Sequence, residues 1–184
     1  MINYCRLLIF ILVVSGMFNS CADEQNFDQL DNFTATPSVE ASILYVEAPE
    51  QLINAVPAGT NFYSQEFNFD AFSEQFFSER VLEGIITYEI ENTTSKTLSV
   101  VLEFLDESGA VLDTELFDID PTPTANLERQ IAYGPGGRSI DIIKNTSSIR
   151  ISATNLADNT SVSNTSPNKI IVRSSGRFTI ELIR

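Results

Sequence analysis

The side chains able to do chemistry in this chain are few in kind. It has no histidine and two cysteines, Cys5 and Cys21. Without imidazole there is no Ser-His-Asp or Cys-His nucleophile, no His-based zinc site and no His-based pH switch. Acid–base work would fall to carboxylates, Lys or Tyr. Acid pairs are frequent, as at Asp106-Glu107 and Asp118-Ile119-Asp120. The second pair places two carboxylates on one strand face, but no calcium loop with alternating Asp/Asn, a glycine and a distal Glu surrounds it. Pairs at this spacing read as solvated strand faces, so neither catalytic residues nor a metal or cofactor site is expected. The run Gly134-Pro135-Gly136-Gly137 lacks the Lys-Ser/Thr that completes a phosphate loop. It reads as a flexible connection flanked by Tyr133 and Arg138. Tyr and Arg are favoured at recognition hot spots. With Tyr133 projecting to solvent, Tyr133, Arg138 and the polar loop 157–168 form the expected contact rim.

Cys21 raises a different chemistry. An apolar run, Leu7 to Gly16, precedes it, and residues 1–20 carry one charge, Arg6. Ten residues are too few to span a bilayer, which needs about 20, but they suit the apolar region of a secretory signal. The run closes in Phe18-Asn19-Ser20-Cys21. This resembles the lipobox of bacterial lipoproteins, in which the thiol is lipidated and the cysteine becomes the first mature residue. Phe18 and Asn19 depart from the commonest pattern, in a way that resembles Bacteroidetes lipoproteins. A plain leader cleaved nearby and an N-terminal anchor helix are the alternatives. Lipidation would leave the mature domain without a free thiol and so without disulfides.

Charge excludes one partner class. The chain has 25 Asp plus Glu against 11 Lys plus Arg, a net charge of −14, and loss of Arg6 with a leader would leave it more acidic. Such a field repels phosphate backbones, so no nucleic acid is expected. Residues 22–37 are acidic and polar, with only Phe27, Leu30 and Phe33 as large apolar groups. They bury too little to offset their ordering entropy and read as a tether. Asp23-Glu24 resembles the export signal that follows the lipidated cysteine in Bacteroidetes surface lipoproteins; a generic acidic spacer is the alternative.

The remainder must supply the scaffold. Residues 38–49 are rich in β-branched side chains and read as a first strand. Phe69, Phe72, Phe76 and Arg80 fall at helical spacing behind Asp70, so residues 67–81 predict a short helix packing Phe into the core. Ile86, Tyr88 and Ile90 alternate with polar residues, as do Leu98, Val100, Leu102 and Phe104. Residues 91–96 read as the hairpin turn between them. Asp106 to Gly109 predicts a turn, Pro121 and Pro123 end the next strand, and Ser139 caps one helical turn. Strands are expected at 110–120, 126–134, 148–155 and 169–183, the last bent or split at Ser174-Ser175-Gly176. No βαβ rhythm is present. The pattern predicts an all-β, antiparallel β-sandwich of about seven to eight strands with one short helix.

Ile86 to Ile119 adds a resemblance. Asn92-Thr93-Thr94, the alternating strand Leu98–Phe104 and the turn Asp106–Gly109 resemble immunoglobulin-like modules of the late-embryogenesis-abundant or FxLYD kind. The whole chain, including residues 133–155, resembles a group of small flavobacterial lipoproteins, a likeness that implies location and scaffold but no activity. The expectation is therefore a signal peptide at 1–20, a lipidated acidic tether at 21–37 and an immunoglobulin-like β-sandwich at 38–184. The protein would be non-enzymatic and held in the outer membrane by lipid on Cys21, with external and periplasmic facing both left open. It would bind another envelope protein, such as an outer-membrane β-barrel. The second reading is a glycan- or small-ligand-binding lipoprotein of an uptake system; the chain has no Trp to stack on sugars but has five Tyr.

Overall fold

The computed structural model describes residues 34–121 and 126–182. Cys21, Asp23, Glu24 and the proposed leader lie outside the described residues. Eight strands form: β1 (Ser38–Pro49), β2 (Thr60–Asn68), β3 (Val81–Asn92), β4 (Leu98–Leu105), β5 (Val111–Ile119), β6 (Leu127–Tyr133), β7 (Ser148–Asn155) and β8 (Lys169–Ile180). Three short helices lie between them: α1 (Glu50–Asn54), α2 (Gln75–Ser78) and α3 (Ile140–Asn145).

The alternation read from sequence is what builds the core. Ile86, Tyr88 and Ile90 of β3 turn inward, as do Leu98, Val100, Leu102 and Phe104 of β4, and Ile149, Ile151 and Ala153 of β7. Each large apolar side chain so buried contributes roughly 1.5–3 kcal/mol. Two four-stranded sheets face each other across these residues, ordered β1-β8-β3-β6 and β2-β7-β4-β5. All pairings are antiparallel.

The antiparallel sandwich matches the sequence pattern, and the pairing adds its winding. β1 pairs with β8, β2 with β7, β3 with β6 and β4 with β5. The chain is one long ribbon doubled back on itself and wrapped into two sheets, the eight-stranded jelly roll. An immunoglobulin domain instead groups its strands as ABED and CFG. One local expectation fails as a result. β3 and β4 lie in different sheets, so residues 91–96 bridge the sandwich rather than closing a hairpin. The β4–β5 hairpin does form: Asp106 accepts from Ser108 and Ala110 N–H at 2.8 and 2.9 Å, and Gly109 takes φ +81°. A side chain at Gly109 would be strained there.

The helix expected over 67–81 is reduced to the single turn α2, because Phe67 and Asn68 belong to β2. Its register also shifts. Phe77, not Phe76, joins Phe72 and Phe178, with ring centroids 5.1–5.4 Å apart. Phe76 is exposed under the Arg80 guanidinium. The Phe178 ring lies against Gly84 of β3, where an added Cβ would stand 2.2 Å from Phe178 Cδ1. Gly84→Ala must therefore push Phe178 out of the aromatic cluster, at an expected cost of about 1–3 kcal/mol. Urea denaturation measures this, and an unchanged midpoint would show that the cluster can yield.

Candidate functional site

Tyr133 does not face solvent. On β6 the inward positions are Leu127, Arg129, Ile131 and Tyr133, and Tyr133 is 1% exposed. Its hydroxyl donates to Asp113 Oδ2 at 3.0 Å. Arg138, 37% exposed, reaches the same oxygen at 2.6 Å and also pairs with Glu115. Arg129 stands 3.3 Å from Glu115 and 4.3 Å over the Phe117 ring. Burial pushes the Tyr133 phenol well above its ordinary pKa, and the neighbouring Asp113 adds to this. Together these side chains close the gap between β5 and β6, the edge strands of the two sheets. Tyr133 and Arg138 thus meet in space, but as a side-chain zipper between sheets rather than a rim. The signal was present in sequence: Tyr133 stands two residues after Ile131, in strand register with it.

The loop 157–168 lies at the other end of the sandwich. Tyr133 pairs with Gly84 near the start of β3, whereas Asn92 at its end pairs with Ile170. Eight residues of strand, roughly 26 Å, separate the two. A second polar network anchors that loop. Glu50, 1% exposed, accepts from Ser95 N–H and Oγ, Ser163 N–H and Asn168 Nδ2 at 2.6–2.9 Å. Lys96, fully buried, donates to Ser161 Oγ at 2.6 Å and pairs with Asp158 at 3.1 Å. Asp158 also accepts from Thr160 and Ser161 N–H at 2.7 and 2.6 Å, and these bonds hold its carboxyl well below the ordinary range. Asp118 and Asp120 are both exposed at the end of β5.

Neither network offers open groups to a ligand. The outer face of the β1-β8-β3-β6 sheet does, and sequence reasoning missed it because its residues come from four separate strands. Register places Ser42, Ser175, Thr87 and Gln130 side by side across the four strands. On one side of this row stand Glu40, Arg177, Ile85 and Ala132; on the other stand Tyr45, Arg173, Glu89 and Glu128. Ser42, Ser175 and Thr87 are smaller than their neighbours Glu40, Arg177, Ile85, Tyr45, Arg173 and Glu89, and the surface here holds a groove of about 340 Å³. A smaller hollow continues it past Thr87 toward Tyr45 and Arg173. Among the described residues the hydroxyls of Ser42, Thr87 and Ser175 have no protein hydrogen-bond partner. The arginines are already engaged, Arg177 with Glu40 and Arg173 with Glu91. Tyr45 is 58% exposed and donates its hydroxyl to Glu47 at 2.8 Å.

No protein-family model matches the chain, and no curated protein matches it. Solved structures are similar at low level. The VP2 subviral particle of infectious bursal disease virus is 9% identical with a TM-score of 0.34; the match covers 82% of this chain and 33% of VP2. The present chain thus spans about a third of that protein's length. A Bacillus endospore-appendage pilus protein is 8% identical, TM-score 0.37, over 79% of this chain and 90% of that one. Desmodium yellow mottle tymovirus is 8% identical, TM-score 0.37, over 82% and 91%. At these scores the likeness says nothing about function.

Proposed function

We propose that the protein is a non-catalytic, lipid-anchored binding module of a bacterial cell envelope. Lipid on Cys21 holds it in the outer membrane, and the outer face of the β1-β8-β3-β6 sheet carries recognition. The observation that supports binding is the row Ser42-Ser175-Thr87-Gln130, whose hydroxyls remain open to a ligand. No catalytic role is assigned to the ionisable groups of the two networks. Glu50, Lys96, Asp113, Glu115 and Arg138 are all engaged with other protein groups rather than aimed into a cleft.

A partner such as an outer-membrane β-barrel would meet a face or loop more readily than a sheet edge. Of the four edge strands, β1, β2 and β5 each carry a register shift, at Ser42/Leu44, Asn61/Tyr63 and opposite Phe104/Leu105. Bulges twist an edge away from the flat ladder that strand addition needs. Anchoring rests on acyl chains, each buried methylene contributing about 0.8 kcal/mol, with more than one chain needed for durable attachment. Cys21→Ala is expected to lose incorporation of an alkyne fatty-acid analogue and to leave the membrane fraction. Full labelling of the variant would remove the anchor from the proposal.

A further inference from the structure

We propose that the groove on the outer face of the β1-β8-β3-β6 sheet binds a short neutral oligosaccharide; this rests on the binding-module reading above. The groove narrows the ligand class through its lining. Its volume of about 340 Å³ lies within the roughly 300–1,000 Å³ of small-molecule sites, but such sites are mostly apolar. Ser42, Thr87, Gln130 and Ser175 give this one a polar lining. An apolar ligand would leave these groups desolvated and unpaired. An anion finds no free cation here, because Arg173 and Arg177 already stand beside Glu91 and Glu40. It also meets the negative field of the whole chain.

What remains is a neutral ligand dense in groups that both donate and accept. Hydroxyls do both, and the Gln130 amide, whose Nε2 donates to Glu128 at 3.2 Å, keeps a second N–H and its carbonyl oxygen. Four strands in register space these groups at about 4.8 Å, so the row extends roughly 14 Å. That is a repeating ladder of hydrogen-bonding positions, suited to a chain of sugar hydroxyls. Beyond the row, the exposed Tyr45 ring has the Arg173 guanidinium 5.9 Å from its centroid. The free part of that ring offers an apolar surface to the C–H face of a terminal sugar. Tyr45 here stands where the missing Trp would otherwise be sought.

The test uses the full chain in lauryldimethylamine oxide micelles, which contain no sugar headgroup. Neutral trisaccharides of glucose, mannose and xylose, and one uronate trisaccharide, are presented at millimolar concentration with saturation-transfer NMR. At least one neutral probe is expected to receive saturation, and the uronate to receive less. The paired substitution Thr87→Val with Gln130→Leu removes hydrogen-bonding groups from exposed positions and is expected to weaken binding roughly tenfold, the loss of about 1.4 kcal/mol. Tyr45→Ala is expected to weaken it independently. Urea midpoints of the variants check that the fold is retained. Silence from every neutral probe, or binding indifferent to both variants, would overturn the proposal. A photo-crosslinker at position 130 that captures a discrete envelope protein while every saccharide stays silent would also overturn it, yet leave the binding-module reading intact. Loss of the lipid anchor with saccharide binding retained would do the reverse.

Discussion

Replacing Glu50 with Ala is expected to cost about 3–5 kcal/mol of unfolding free energy, because four hydrogen bonds to a charged group are lost and their donors are left inside the fold. Glu50 gathers donors from two separate segments: Ser95 between β3 and β4, and Ser163 and Asn168 in the long loop before β8. Removing the carboxylate leaves their N–H groups facing a cavity, at about 1–3 kcal/mol each where water cannot enter. Glu50→Gln keeps the volume but turns an amide NH₂ toward N–H donors, so it should recover only part of the loss. Lys96→Met is the contrasting case. Asp158 is exposed and keeps its bonds from Thr160 and Ser161 N–H, so no charge is stranded and the effect should be small. The carboxyl titration gives a second readout. Burial acts to raise the Glu50 pKa, but the bonds from Ser95, Ser163 and Asn168 outweigh it and hold it below the ordinary value. A depressed folded pKa contributes stability that is complete above the unfolded value of about 4.3 and is lost as pH falls through the lower folded value. Urea midpoints of wild type and Glu50→Ala should therefore differ by a constant amount from pH 7 to 5 and converge below pH 4. A constant difference down to pH 2 would show that the contribution is not the ionised carboxylate.

Period-two alternation made most strands legible, because one buried face marks them without any tertiary knowledge. β3, β4 and β7 show this cleanly. β2 was missed: its burial pattern is weak, with Phe62 buried, Phe67 half-buried and Ser64 to Glu66 exposed. That is what an edge strand with a bulge looks like in sequence. The winding was not legible. Residues 91–96 carry good turn residues, and nothing local distinguishes a hairpin turn from a bridge between sheets. Asn92 shows the difference only in three dimensions, donating to both Lys96 and Asp120 carbonyls, the second 28 residues away.

The site was less legible than the fold for the same reason. Ser42, Thr87, Gln130 and Ser175 are unremarked polar residues in their own strands. They become a row only through the registers of three strand pairs. Lys96 and Glu50 carry no local mark of their burial either. A lysine in a turn and a glutamate after a proline read as solvated, yet both are buried because a loop from far along the chain folds over them. Sequence spacing reports what a residue's own element does. It does not report what another segment later covers.

Arg138→Met carries the second large expectation, a loss of about 2–3 kcal/mol, toward the lower end for a broken buried pair because Arg138 itself is partly exposed. Its partners are not exposed. Glu115 is 3% accessible and Asp113 15%, so the variant leaves two carboxylates inside the sandwich edge with Arg129 as the remaining cation near Glu115. Rescue is expected. Adding Glu115→Gln to Arg138→Met removes the more deeply buried of the two carboxylates and should restore part of the stability, giving a coupling energy of roughly 2 kcal/mol in a double-mutant cycle. Glu115→Gln alone should cost less than Arg138→Met alone, since Asp113 continues to hold the guanidinium. A surface pair would instead show coupling near 0–1 kcal/mol. The cycle also decides between the two readings of this arginine. If Arg138→Met leaves the urea midpoint unchanged but abolishes binding to an envelope partner, Arg138 belongs to a recognition surface after all. If stability falls and is rescued by Glu115→Gln while ligand binding at the outer face persists, the cluster around Tyr133 is the clasp between the two sheets.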